Sequence, residues 1–243
     1  MAQPMINSGL QSRDGHTDCQ TCPARHTSYC SVVPSQDLDA LGHLRRSIRF
    51  ERKQSIVCAR DPALSFFNVV SGTVKLIRTA PDGRAQIVGF RSQGEFFATR
   101  SSASCAITAE AVTAVELCVL SRSSFKQVSA QWPQAVERLF ELSCAQLEAS
   151  EDQMFLLGRK TAREKVVSFL LAYANRTAAD KTGSLRCVNL PMTRADIADF
   201  LGLTTETVSR VFSSLAREKL ISVGVSRSVH FHNVPELSRM TGT

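Results

Sequence analysis

No run of apolar residues in this chain approaches the roughly 18 needed to cross a bilayer, so no membrane-spanning role is expected. Met1 to Gly15 has no apolar stretch of the kind that secretory signals carry. Both absences point to a protein of the cytoplasm. Internal repeats and low-complexity tracts are missing too, which argues against a solenoid or a long tail. The sequence also offers no paired carboxylates, no Gly-x-Ser-x-Gly elbow and no glycine-rich phosphate loop. An enzyme is therefore not expected.

What is present is 243 residues, 43% apolar and 21% charged, enough for one large globular domain or two ordinary ones. The net charge of +7 is unevenly spread. Residues 159–243 hold 13 Lys and Arg against 7 Asp and Glu, whereas residues 1–158 hold 16 against 15. A basic last third favours phosphate contacts and counterion release, although a solvated basic face would look the same.

Near the other end, Cys19, Cys22 and Cys30 fall in C-x2-C-x7-C spacing. Thiols in a polar stretch of a reducing compartment are metal ligands or redox groups more readily than structural disulfides. His26 lies between them and is a further zinc donor. Residues 1–34 read as an irregular segment tied down by whatever the cysteines bind.

From Asp37 to Ile48, Leu38, Leu41, Leu44 and Ile48 recur at helical spacing, which predicts a short helix. Strand-forming residues then dominate from Glu51 to Phe125. Ser71-Gly72 and Asp82-Gly83 both read as hairpin turns, and the short strands together predict an antiparallel roll or barrel. Pro133 to Leu157 reads as one long helix. Phe140, Leu147 and Met154 recur every seven residues on it, with Ser143, Ser150 and Leu157 in the second heptad position and Glu151 beside them. That is a coiled-coil seam weakened by two serines; a helix packed on its own domain fits the same pattern.

Ala162 to Asn175 is amphipathic. After a polar loop and a short strand at Cys187 to Leu190, Met192 to Thr204 has the grammar of a helix-turn-helix. Thr193 can cap the first helix, with Ala195, Ile197, Ala198 and Leu201 as its buried face. Gly202 gives the turn, and Thr204 caps the second helix. There Val208, Val211, Phe212 and Leu215 anchor, while Glu206, Ser209 and Arg210 stand together on the other side, near Thr205. Arg210 can donate twice to guanine, Glu206 can accept from cytosine, and Ser209 suits several bases. Arg194, Arg217, Lys219 and Arg227 are candidate phosphate contacts. Leu220 to Val223 and Ser228 to Phe231 read as a two-stranded wing.

A β-roll, a long helix and a winged helix-turn-helix in that order resemble the CRP/FNR family of bacterial transcription regulators, over roughly Asp37 to Val234. The stretch Leu201 to Arg210, with its Glu206-x-x-Ser209-Arg210, is the most specific part. The resemblance implies an α+β protein: a cysteine-rich segment over 1–34, a jelly-roll-like sensory β-roll over 35–130, a dimerisation helix over 131–158 and a DNA-binding domain over 159–243. It implies a homodimer on double-stranded DNA of the palindromic TTGAT type, with RNA polymerase as a further partner through exposed loops.

The thiols are similar to those of the FnrN-like oxygen sensors, which hold a [4Fe-4S] cluster on three N-terminal cysteines and one from the roll. That likeness implies Cys118, late in the roll, as the fourth ligand, with Cys105 as its rival. Cys58, Cys144 and Cys187 read as buried small apolar residues. Four thiolates suit zinc as well as a cluster; the family likeness favours the cluster. The resemblance also gives Glu151 the role of opposing pairing when the cluster is absent. Cyclic-nucleotide binders of the family carry Arg-Ser about ten residues after Gly-Glu-aliphatic. Here Arg100-Ser101 follows Gly94-Glu95-Phe96 too soon, so no cyclic nucleotide is expected.

Overall fold

Short runs of strand-forming residues mark the first half of the chain, and the strands follow them. The computed structural model describes residues 17–57, 65–98, 107–177 and 187–242. It divides into two compact units, Met1–Leu147 and Glu148–Thr243, which part within the long helix.

The first unit opens with three 3-10 turns, Arg25–Thr27, Tyr29–Val32 and Ser35–Asp37. Helix α1 (Leu38–Leu44) follows, then β1 (Arg46–Phe50), β2 (Ser55–Val57), β3 (Ser65–Ser71), β4 (Val74–Thr79), β5 (Ala85–Arg91), β6 (Phe96–Ala98), β7 (Ile107–Ala111) and β8 (Val115–Ser121). Helices α2 (Arg122–Gln131) and α3 (Pro133–Arg159) complete the set. The predicted first helix thus stops at Leu44. Ile48 lies in β1 and packs against the interior of the roll, while Phe125 belongs to α2 rather than to a strand.

The strands form two four-stranded antiparallel sheets, ordered β1-β8-β3-β6 and β2-β7-β4-β5. Asp82-Gly83 is a hairpin between β4 and β5, with Gly83 at φ 88°. Ser71-Gly72 is not a hairpin. It is a corner where the chain leaves one sheet for the other, since β3 pairs with β6 and β8 and β4 with β5 and β7. Gly72 sits at φ 86°, and a Cβ there would collide with the Ala114 carbonyl at the β7–β8 corner.

Period-2 alternation sorts the side chains of the first sheet. Phe67 and Val69 of β3 and Val115 and Leu117 of β8 face the interior with Phe50, Leu76 and Phe97. Phe67 and Phe97 stack there, ring centroids 4.9 Å apart. Phe66 and Leu120 face the other way and are buried with Cys19, Tyr29, Val33, Leu38, Leu41, Val128 and Trp132. Tyr29 meets Phe66 edge-on at 5.3 Å. Trp132 Nε1 donates to Asp37 Oδ2 at 2.9 Å. The N-terminal segment is therefore held by its own apolar side chains, not by a ligand alone as the sequence led us to expect.

Gly94 makes this seat possible. It has φ 84°, and a Cβ would fall inside the radius of Thr27 Oγ1 and Cβ. Its neighbour Gln93 donates through Nε2 to the Pro23 carbonyl at 2.9 Å.

The second unit holds the rest of α3, then α4 (Ala162–Thr177), β9 (Cys187–Asn189), α5 (Arg194–Leu201), α6 (Thr205–Arg217), β10 (Ile221–Val223), β11 (Ser228–Phe231) and α7 (Val234–Arg239). Strands β10, β11 and β9 form one antiparallel sheet in that order. The predicted wing is thus three strands wide at its base. At its tip Ser226 and Arg227 adopt φ 60° and 65°, Arg227 Nη1 bonds the Pro191 carbonyl at 2.8 Å, and Val225 is 91% exposed. Cys187 is exposed and Cys144 half-buried, so neither is the buried apolar residue expected. Cys58, Cys105, Arg100, Ser101 and the loop 178–186 lie outside the described residues.

Two outcomes follow from these contacts. Gly94→Ala should destabilise the first unit by roughly 1–3 kcal/mol, from a non-glycine residue forced to positive φ. Urea unfolding, with faster proteolysis within residues 17–33, would reveal it; an unchanged midpoint would refute this role. In the second unit, Arg163 grips Glu218 with Nη1–Oε1 at 2.8 Å and Nη2–Oε2 at 2.5 Å. Hydrogen bonds from Arg163 and Ser214 hold the Glu218 carboxyl down at about 2. A depressed carboxylate stabilises the fold fully above its unfolded value of about 4.5 and ceases to do so as pH falls toward about 2. Acid melts of Glu218→Gln should therefore lose the part of the pH dependence that wild type shows in that window.

Candidate functional site

Four thiols from three segments rim one pocket. Cys19 and Cys22 come from the start of the described chain, Cys30 from a 3-10 turn and Cys118 from the outward face of β8. Thr17, Tyr29, Leu41, Arg45, Asn68 and Val70 complete its lining. The pocket is partly open to solvent. Cys118 stands between Ser47 of β1 and Asn68 of β3 in the cross-strand register.

Burial dominates the chemistry here. It pushes the Cys118 thiol far up and raises Cys22 and Cys30 as well, each further raised by neighbouring thiols. Such thiols become thiolates only when a cation compensates them. One cation is built in: Arg45 Nε donates to Cys19 Sγ at 3.1 Å, and Nη2 bonds the Thr17 carbonyl. Burial alone would lower the Arg45 pKa, but the Cys19 hydrogen bond and the nearby Cys118 and Cys22 hold it above its ordinary value. Ser28 Oγ lies 3.0 Å from Cys30 Sγ. The Asn68 side chain is buried, and its Oδ1 has no hydrogen-bond partner among the described residues.

Beside the pocket, Glu116 anchors the segment. Burial would raise its carboxyl, yet donors from Thr17, Ser47 and Arg49 lower it; Ser47 Oγ approaches to 2.7 Å and Arg49 Nη2 to 3.1 Å. Sequence reading missed Thr17, Arg45 and Asn68. Only Asn68 left a trace, as a lone amide in the apolar run Phe66 to Val70.

At the other end, Thr193 Oγ1 accepts from Asp196 N while Asp196 returns a bond to Thr193 N, a complete capping box. Gly202 turns left-handed at φ 60°, and Thr204 caps α6 through Thr207 N. Val208, Phe212 and Leu215 are buried and Val211 half-buried. Ala195, expected inside, is exposed. Thr205, Glu206, Ser209 and Arg210 all stand in solvent on the first turns of α6. Glu206 Oε1 and Arg210 Nη2 pair at 2.5 Å, and Ser209 Oγ bonds the Thr205 carbonyl. Arg194 lies flat on Phe212, 3.3 Å from the ring centre. Burial, then the like charge of Arg227, brings it down to about 10. So Arg194 is half committed to holding α5 against α6.

Comparison with known proteins agrees with this geometry. Residues 164–240 match the Crp-like helix-turn-helix domain and residues 47–131 the cyclic nucleotide-binding domain. The nitrogen fixation regulation protein FixK of Bradyrhizobium diazoefficiens is 39% identical over 86% of this chain and 88% of its own. This chain belongs to the CRP/FNR family. The transcriptional activator protein FnrL of Cereibacter sphaeroides is 35% identical over 87% of this chain and 86% of its own. The solved structure of FixK2 from Bradyrhizobium japonicum superposes with a TM-score of 0.71 at 33% identity, over 81% of this chain and 96% of that one. The order of roll, long helix and winged helix-turn-helix read from the sequence is that of the family. Like its other members, this chain is a DNA-binding transcription regulator.

On the family's long helix, α3, an apolar stripe is open. Phe140 is 69% exposed, Leu147 60% and Met154 64%, with Ser143, Ser150 and Glu151 exposed among them. Phe155, unremarked in the sequence because it breaks the seven-residue spacing, is 60% exposed beside Met154. Among the described residues no helix is long and apolar enough to cross a membrane.

Helix α6 and its neighbour α5 make a paired test. Arg210→Gln should cost about 1–3 kcal/mol and relax preference at one base pair per half-site. Arg194→Gln should weaken all duplexes alike and flatten the salt dependence by about one phosphate per subunit. Fluorescence anisotropy over a salt series separates the two; if both variants behave alike, the division of labour is wrong.

Proposed function

We propose that this chain is an oxygen-responsive transcription activator of the cytoplasm. Its homodimer binds palindromic TTGAT-type double-stranded DNA while Cys19, Cys22, Cys30 and Cys118 hold a [4Fe-4S] cluster. The observation that carries this is the meeting of four thiols from three segments in one pocket of a CRP/FNR chain. Four thiolates suit zinc as well as an iron–sulfur cluster, and among the described residues no three His, Cys, Asp or Glu side chains are grouped to hold one ion. The likeness of the C-x2-C-x7-C spacing to the FnrN-like sensors favours the cluster. The names of FixK and FnrL support regulation and activation but are silent on the metal. A zinc site or a thiol–disulfide switch in the same pocket is the second reading.

When bound, the cluster would supply an iron–sulfur core that molecular oxygen oxidises. The chain's own residues do the rest. Cys19, Cys22 and Cys30 tie the N-terminal segment to β8 through Cys118. That segment shares its apolar cluster with Leu139 and Leu142 on the inner side of α3. A change in how the thiols are held thus bears on α3 directly. On the open side of α3, Phe140, Leu147 and Met154 pair two copies weakly, because the serines add little and two Glu151 carboxylates repel when brought together. The dimer sets two α6 helices roughly 34 Å apart, one turn of DNA. RNA polymerase is the partner through exposed loops. No cyclic nucleotide is expected, because Arg100-Ser101 follows Gly94-Glu95-Phe96 too soon to hold its phosphate.

Protein purified without oxygen should hold about four irons and four acid-labile sulfides per chain, absorb broadly in the visible, and bleach in air while releasing a TTGAT palindrome. Cys118→Ser should lose most of the iron and keep its fold by circular dichroism. A colourless wild type that binds the palindrome equally with and without air would overturn the sensing half of the proposal.

A further inference from the structure

Arg45 is an unusual cation. It follows the last turn of α1, is half-buried, and turns inward to the thiol pocket instead of out to solvent. Among the described residues it has no carboxylate partner; Cys19 Sγ and the Thr17 carbonyl take its hydrogen bonds. Even a half-buried guanidinium without an acid is costly unless an anion meets it. The pocket has a second unmet demand in Asn68, buried with its Oδ1 unpaired. Its amide can turn over to present N–H groups instead. Two polar side chains, one cationic and one unpaired among the described residues, line a pocket walled by four thiols. Both features make sense if the occupant is an anionic, sulfur-rich group.

We propose that Arg45 is the positioning and charge-compensating residue of the thiol pocket: it donates to the Cys19 sulfur and sets the potential at which the bound group accepts an electron. This rests on the cluster reading above. Four thiolates on an iron–sulfur core leave the whole site negative. A guanidinium fixed beside one ligand sulfur favours the more negative, reduced state and so raises the reduction potential. The hydrogen bond also draws electron density from Cys19 Sγ, which weakens charge transfer from that ligand to iron. Sequence position alone gives no hint of this, because Arg45 is one of a pair of adjacent arginines and Arg46 is exposed.

The test uses full-length wild type, Arg45→Met and Arg45→Lys, each reconstituted with iron and sulfide without oxygen. Iron and sulfide content comes first, then potentiometric titration with one electron delivered by dithionite, then the visible spectrum. Arg45→Met should load but shift its one-electron equilibrium at least tenfold, about 59 mV, toward the oxidised form, with its charge-transfer band moved to lower energy. Arg45→Lys keeps the charge and should recover most of the shift. Should Arg45→Met fail to load while Arg45→Lys loads, the need for the charge is supported as well. Equal potentials in all three proteins overturn the proposal, and so does failure of both variants to load, which would make Arg45 a structural brace. A wild type that takes up no iron or sulfide defeats the cluster reading itself, a result distinct from either.

Discussion

One sheet face decides the architecture of the first unit. Strands β3 and β8 point half their side chains into the roll and half outward, and the outward half is too apolar to leave wet. Phe66 and Leu120 must be covered, and they are covered by Tyr29 and Val33 of the N-terminal segment together with Leu38 of α1. The thiol pocket is the part of that cover which apolar side chains do not fill. Cys118 reaches it because it lies an even number of residues from Leu120 on the same strand face. A one-residue slip of β8 would turn Cys118 into the core and Leu117 out, and the pocket would lose its fourth thiol.

That placement bears directly on the sensing role proposed for the segment. The segment is seated well enough to bring Cys19, Cys22 and Cys30 together, by Gly94, Tyr29 and the bonds to Glu116. Yet it is made only of short 3-10 turns, each with few internal hydrogen bonds. Its hold on the roll is therefore divided between apolar cover and whatever the thiols bind. Removing one of the two leaves the other, so under the proposed reading loss of the bound group would loosen the segment and leave the roll folded. The same apolar cluster includes Leu139 and Leu142, which makes the inner side of α3 part of the cover.

Much of this was legible in the sequence where local rules act alone. The capping residues Thr193 and Thr204 and the left-handed Gly202 fix the helix-turn-helix without help from elsewhere. Asp82-Gly83 forms its hairpin for the same reason. Legibility failed where the outcome depends on distant partners. Ser71-Gly72 carries a hairpin signature, but Gly72 is needed for close approach to Ala114, and the chain crosses between sheets instead. Ala195 has the spacing of a buried residue, but its side of α5 faces solvent. The extended pairing of β1 with β8 claimed Ile48 from the first helix. Cys187 stands opposite His230 on the exposed face of the wing sheet, which no count of cysteines reveals. Arg45 and Asn68 became site residues only through a pocket that folding creates.

The tip of the wing has a further consequence. Ser226 and Arg227 both hold left-handed backbone without being glycine, a conformation that costs about 1–3 kcal/mol per residue. The bond from Arg227 to the Pro191 carbonyl helps to keep them there. The bend is thus set when the unit folds, at the expense of its stability. A loop ordered in advance surrenders little entropy on meeting a rigid surface. If α6 carries the sequence preference, as its exposed Glu206, Ser209 and Arg210 suggest, such a wing would add contact to the complex at little ordering cost.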